Sequence, residues 1–455
     1  MPVDLDDLFT ALAGQADAIP LGTADRARRR GRQRTRNRVA ALSAAVAVCL
    51  VTAGVAGFLA GTRRDGHPVS PPSHALPEVG APIPLGGGLR DTWSAIAGGR
   101  VFTAWSDAQG RVGVVATDPA TGAALWTDRT VERNAQLVDL RATSPAVLLI
   151  AGTTRRTVTA LRPADGRQLW RLTVGENDAL VPHPRALVRW SATTRETEGY
   201  DWATGTRIWS GAPGGDSPIR TFGMRTAGDP TPDGYTGDAV VQLTTTGRAV
   251  VRDAGTGAVR HTTSAGSPRR DGLAAVIDGR LYTEEESGGV RVTDLDSPGG
   301  GSAVIATGAG LVSFDVCGNE RLCVLDQASD GRTTVAAIDR ATGRTLWRVA
   351  GPPGPAGLSA RGDHVLVSGG GTTVLYDAAG AEVVRTPDAE VGWLTPGTLV
   401  MYPALAPGTV TTFRVGDRRL TRLGEVPTRN GRCVHTSDRL ICPTATDLRV
   451  WTLTG

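Results

Sequence analysis

The sequence predicts an all-β protein: a β-propeller of about eight four-stranded blades, preceded by a single transmembrane helix. Three observations carry that expectation. A tight turn recurs along the chain with an aromatic residue just behind it. Short β-rich runs alternate with glycine and aspartate stops. One long uncharged stretch lies near the N-terminus.

Residues 1–38 come first, as a short segment expected in the cytoplasm. Leu5, Leu8, Phe9 and Leu12 fall at helical spacing, with Asp4, Asp6 and Asp7 near the start, where acids suit a helix N-terminus. Residues 1–25 could form a short amphipathic helix with a cytoplasmic partner, or a plain surface helix. The run 26–38, RARRRGRQRTRNR, holds eight arginines in 13 positions.

Residues 39–61 read VAALSAAVAVCLVTAGVAGFLAG, with 23 residues and no charge. A helix of that length spans about 34 Å, enough for a bilayer core of ~30 Å. The heavier arginine cluster precedes it, and only Arg63 and Arg64 follow. The N-terminus is therefore expected inside and the bulk of the chain outside the cytoplasm. A cleaved signal peptide fits less well, because its apolar stretch is usually 7–15 residues.

Residues 62–88 are rich in proline and glycine and read as a stiff linker. Residues 89–455 are expected to form the extracytoplasmic propeller. The charge is uneven: residues 1–64 hold ten arginines against five acids, and the remainder 39 against 40. No lysine occurs. The large domain is near neutral, and its composition gives no reason to expect nucleic acid as a partner.

The recurring turn first appears in DPATGAALW at residues 118–126. It returns as YDWATGTRIW at 200–209 and IDRATGRTLW at 338–347, with PADGRQLW at 163–170 as a relative. RDAGTGAVRH at 252–261 keeps the turn and puts His261 in place of tryptophan. Asp118, Asp201 and Asp339 enter the turns, where a carboxylate accepts backbone N–H groups two residues on. Gly122, Gly205 and Gly343 supply a positive φ at no steric cost. Further turn glycines are Gly166, Gly257 and Gly380, with weaker candidates at Gly299 and Gly416. From Gly122 to Gly416 there are 294 residues, and seven steps give a mean of 42, the length of a four-stranded blade. Trp126, Trp170, Trp209 and Trp347 begin the next strand, where each indole can wedge between adjacent blades. Burying ~200 Å² of ring stabilises by up to about 5 kcal/mol on area counting.

The D-x-x-T-G-x-x-x-W unit at Asp118, Asp201 and Asp339 resembles the repeat of the pyrroloquinoline-quinone-type (PQQ-like) β-propellers. The resemblance covers roughly residues 90–455. That family contains quinoprotein dehydrogenases and also non-enzymatic scaffolding propellers, so the repeat implies the fold and leaves function to the loops. Literal counting marks nine units, of which those near 297–308 and 415–426 are degraded. Eight is the usual size in the family and is the expected count, with seven and nine open. The segment 432–453 offers three strands, which the chain just before Asp91 could complete and so close the ring.

Cys317 and Cys323, and Cys433 and Cys442, each flank a polar turn between strand-like runs, which places the thiols within reach of a disulfide across a hairpin. Two disulfides suit an extracytoplasmic location. A zinc site is the weaker reading. Cys49 lies in the apolar stretch as a packing residue.

The enzymes that the repeat resembles hold their cofactor with calcium, acidic ligands and often an adjacent cysteine pair, and no such pair exists here. The acidic run EEES at 284–287 reads as a solvated edge. His183, His261, His364 and His435 fall in different units. RGD at 361–363 reads as a turn. No catalytic, cofactor-binding or metal-binding residue is assigned, and no cofactor is expected. The expectation is a membrane-anchored propeller that binds a protein or a cell-envelope ligand on one of its faces. A quinone-dependent oxidoreductase, and a transmembrane signal relay using residues 1–25, are the alternatives.

Overall fold

A computed structural model describes residues 75–132, 136–153, 155–211, 218–228, 235–296, 302–305, 310–354, 356–403, 407–427 and 433–453. Every regular element among them is a β-strand. The expected cytoplasmic segment, membrane helix and first part of the linker lie outside the described residues. Among the described residues no helix is long and apolar enough to cross a membrane.

The strands group into nine four-stranded antiparallel blades. Blade 1 is Leu89–Ala97, Arg100–Asp107, Val112–Thr117 and Ala124–Glu132; blade 2 is Leu137–Ala142, Val147–Gly152, Arg155–Leu161 and Gln168–Gly175. Blade 3 is Ala179–His183, Ala186–Trp190, Thr197–Tyr200 and Arg207–Gly211; blade 4 is Pro218–Arg225, Tyr235–Thr244, Arg248–Asp253 and Val259–Ser264. Blade 5 is Ala274–Ile277, Arg280–Glu284, Val290–Asp294 and Ser302–Ile305; blade 6 is Leu311–Val316, Arg321–Gln327, Thr333–Asp339 and Thr345–Ala350. Blade 7 is Ala356–Arg361, His364–Gly369, Thr372–Tyr376 and Glu382–Pro387; blade 8 is Ala389–Thr395, Thr398–Pro403, Gly408–Arg414 and Arg419–Val426. Blade 9 combines Val434–His435, Arg439–Pro443 and Asp447–Thr452 with Ile83–Pro84 from the other end of the propeller sequence. The count of nine matches the literal reading of the repeats and exceeds the eight set by the family's usual size. The first strands of blades 4 and 5 also pair in parallel through Met224↔Val276 and Arg225↔Ile277.

The blades pack face to face, and an apolar cluster fills each junction. Phe102, Val114, Leu140 and Leu149 join blades 1 and 2. Tyr282, Val292, Leu322 and Val324 join blades 5 and 6. Val101, Val115, Ile441 and Val450 join blade 9 back to blade 1, which closes the ring. Strand alternation explains the apolar runs. In the third strand of blade 1, Val114 faces blade 2 while Val115 faces blade 9, and all six residues of the strand are buried.

Closure recruits residues that the sequence reading placed in the linker. Leu76 N donates to Glu425 O at 3.1 Å, Val79 N to Val450 O at 2.8 Å and Leu85 N to Thr446 O at 2.9 Å. Leu76 and Leu85 are buried. The ordered propeller thus starts well before residue 89. A ring closed by strands from both ends leaves no bare inter-blade face.

Candidate binding surface

In each blade the turns between strands 1 and 2 and between strands 3 and 4 lie at one end of the ring, as antiparallel order requires. The recurring turn is the 3–4 turn. At Asp118 the carboxylate accepts Ala120 N at 2.9 Å and Thr121 Oγ1 at 2.8 Å, while Gly122 N donates to Asp118 O at 2.8 Å with φ 69°. Asp201 accepts Thr204 N at 2.9 Å and Thr204 Oγ1 at 2.8 Å, and Gly205 has φ 67°. Asp339 accepts Thr342 N at 2.7 Å and Thr342 Oγ1 at 2.8 Å, and Gly343 has φ 70°. These hydrogen bonds favour the charged carboxylate. The Thr121 hydroxyl holds Asp118 below its usual range, the Thr204 hydroxyl does the same for Asp201, and the Thr342 backbone N–H does so for Asp339. Of the two weaker glycine candidates, Gly299 lies outside the described residues. In the turn at 415–418 the left-handed residue is Arg418, φ 53°, rather than Gly416.

The four tryptophans follow one rule. Each indole N–H donates to the carbonyl of the residue just after the turn's first position in the next blade. Trp126 donates to Pro163 O at 2.9 Å, Trp170 to Trp202 O at 2.8 Å, Trp209 to Ala254 O at 3.0 Å and Trp347 to Ala378 O at 2.9 Å. Each ring lies against the glycine of that same turn: Gly166, Gly205, Gly257 and Gly380 in order. Trp170 and Trp209 are buried, while Trp126 and Trp347 are half-buried. His261 takes the same post, and its Nε2 bonds Leu295 O in blade 5. For that bond the ring nitrogen carries the proton, because a carbonyl only accepts.

The junction of blades 5 and 6 departs from the rule. In filled blades the docking ring stands opposite the residue two before the turn aspartate, as in Ala116↔Trp126, Val251↔His261 and Ala337↔Trp347. In blade 5 the matching pair is Val292↔Ala303. Ala303 brings no ring. A cavity of 530 Å³ occupies the junction, lined by Arg280, Ala303, Glu320, Asp339 and Arg340 among others. A Cβ placed on Gly343 would meet nothing closer than Val304 O at 3.8 Å, whereas one on Gly257 would strike Trp209 Cδ2 at 2.6 Å.

A family model described as "Outer membrane protein assembly factor BamB", of the PQQ-repeat type, matches residues 108–322 and 331–449. The chain belongs to that propeller family. Among solved structures, BamB from Moraxella catarrhalis is 17% identical, with 84% of this chain and 98% of that one covered at a TM-score of 0.45. The computationally designed Ika8 protein is 15% identical over 83% and 100% of the two chains at 0.45, and Saccharomyces cerevisiae Sqt1 is 12% identical over 78% and 100% at 0.46. No curated protein sequence matches the chain.

Within this PQQ-repeat propeller the remaining predicted residues take structural posts. Cys317–Cys323 spans the 1–2 turn of blade 6, and Cys433–Cys442 ties the first and second strands of blade 9. The acidic run is not a solvated edge: Glu284 and Glu285 are buried. Glu284 pairs with Arg269 at 2.7 Å and accepts Leu273 N, and Glu285 pairs with Arg291 at 2.7 Å. The two partners lie 15 and 6 residues away in the chain, so no local motif announces them. RGD forms the 1–2 turn of blade 7, where Asp363 pairs with Arg321. His183 is fully buried, its Nδ1 accepts Arg185 N at 3.2 Å, and burial pushes its pKa down to about 4. His435 is also pushed down by burial. Among the described residues no three His, Cys, Asp or Glu side chains could together hold a metal ion.

Charge elsewhere is largely paired. Asp178, almost fully buried, meets Arg189 at 2.6 Å, and Glu198 meets Arg207 at 2.8 Å and the Tyr200 hydroxyl at 2.6 Å. A second cavity, of 600 Å³, opens at the opposite end between blades 1 and 2, beside Asp91, Asp107 and Gln136.

Proposed function

We propose that the protein is a membrane-anchored, extracytoplasmic propeller that holds a protein partner and performs no chemistry of its own. The observation that carries the reading is the family match over residues 108–322 and 331–449, since that family is named for an assembly factor. Anchoring is supported by residues 39–61 and the arginine run before them. The two disulfides support an oxidising compartment. The end that carries the 1–2 and 3–4 turns is the candidate contact face, because the cavity at the junction of blades 5 and 6, where no docking ring stands, opens there.

Site-specific photo-crosslinking on the full chain in its membrane tests this. A photoreactive residue at Asn319 is expected to capture a protein, and one at Gln109, at the opposite end, is not. Absence of any protein adduct at Asn319, or a topology reporter placing residue 75 in the cytoplasm, overturns the reading. So does saturable uptake of a quinone cofactor with turnover by the purified chain.

A further inference from the structure

We infer that the cleft between blades 5 and 6 is a docking slot for a tryptophan side chain supplied by a partner protein. The inference rests on the scaffold reading above and names the chemistry of what is held.

The molecule itself shows what such a slot accepts. At four junctions a carbonyl at the turn's second position takes an indole N–H at 2.8–3.0 Å, and the ring lies on the turn glycine. Blade 6 keeps every receiving part of that site. Asp339 closes the turn through Thr342, and Gly343 holds φ 70°. The Arg340 carbonyl stands at the accepting position, and no donor among the described residues reaches it. Only the ring is missing, because Ala303 occupies its register position.

The space left is of ligand size. A cavity of 530 Å³ falls within the range of small-molecule pockets and exceeds what one indole needs, so the flanking peptide can enter with it. Its lining also suits an electron-rich ring. Arg280 and Arg340 are among the residues that line the cavity, beside Asp294, Glu320 and Asp339, and arginine over an indole face is the favoured cation–π pair. Arg340 already lies over the Tyr282 ring at 5.8 Å, on the inner side of the same junction. Phenylalanine could enter the space and meet the cations, but it has no proton for the carbonyl. Tyrosine carries its proton at the far tip rather than at the ring edge that the filled slots use.

The test titrates the full chain with N-acetyl-L-tryptophanamide, its 1-methylindole counterpart and N-acetyl-L-phenylalaninamide, read by ligand-observed NMR. The tryptophan probe is expected to bind about tenfold more tightly than either control, since both lack the indole N–H. Ala303→Trp, which supplies the ring from within, is expected to abolish that binding and to raise the melting temperature. Equal affinity for the three probes on the wild-type chain, a comparison that needs no variant to fold, overturns the slot. Tryptophan-probe binding that survives in folded Ala303→Trp overturns it as well. If no probe binds while Asn319 still captures a protein, the slot falls and the scaffold reading stands.

Discussion

The junction between blades 3 and 4 and the junction between blades 5 and 6 are made from the same turn, yet an indole closes only the first. Asp253 accepts Thr256 N at 2.9 Å and Thr256 Oγ1 at 3.0 Å, as Asp339 does with Thr342 at 2.7 and 2.8 Å. Gly257 and Gly343 share the left-handed conformation at φ 72° and 70°. The turn therefore forms whether or not a ring rests on it. Its hydrogen bonds are local, while the ring acts between blades, and each can vary without the other.

The comparison breaks most visibly at Trp209. Trp209→Ala is expected to destabilise the chain by about 4 kcal/mol, through lost burial, the cavity left behind and an unmet carbonyl at Ala254. Ala303→Gly, at the equivalent post, is expected to cost about 1 kcal/mol, for backbone entropy alone. Chemical denaturation of both variants checks the ratio, and equal losses would show that the indole is not what holds blades 3 and 4 together.

His183 gives the next effect, on the blade 3 side of the filled junction. Its ring is fully buried and its pKa is depressed from 6.5 to about 4. The unfolded chain then takes up the proton first, so the stabilisation is complete above pH 6.5 and is lost as pH falls toward 4. The loss is on the order of 3 kcal/mol. A His183→Gln chain that shows the same acid slope as wild type would sink this assignment.

The two glycines sharpen the contrast further. Gly343→Ala costs about 1 kcal/mol, for a left-handed alanine in open space. Gly257→Ala incurs that and a clash, since its Cβ would lie 2.6 Å from Trp209 Cδ2, and an additional ~2 kcal/mol is expected. Matching melting temperatures for the two variants would mean the slots do not differ in occupancy.

Asp253 carries the smallest effect. The Arg260 guanidinium holds its pKa down to about 2, from 3.8. Its contribution is whole above pH 4 and fades as pH falls through 2. Because Arg260 is partly solvated, the pair contributes at most about 1 kcal/mol. Asp253→Asn should flatten the acid limb between those values, and an unaltered limb would remove the pair from the account.

Much of this architecture was legible in short stretches. The turn is written in five residues, and the docking ring follows the turn glycine by four, so both stand out as they recur. The fourth strand of blade 5 is only four residues long, Ser302–Ile305, and its unit reads as degraded for that reason. What could not be read there was the consequence, because Val292 and Ala303 face each other only once the strands are paired. The buried Glu284 was misjudged for the same reason. A carboxylate next to two others looks solvated until Arg269 and the Leu273 N–H come round to neutralise it.

The amino-acid sequence by itself determined the period, the turn chemistry, the strand-rich class and the membership of the PQQ-repeat propellers. These depend on hydrogen bonds and side-chain alternation within a few residues. Tertiary structure alone decided which residues complete the ninth blade, with Ile83 paired to Leu448 from the far end of the propeller, and opened the slot between blades 5 and 6. Both depend on which faces meet when the ring closes, and ring closure joins residues whose sequence separation carries no local signal.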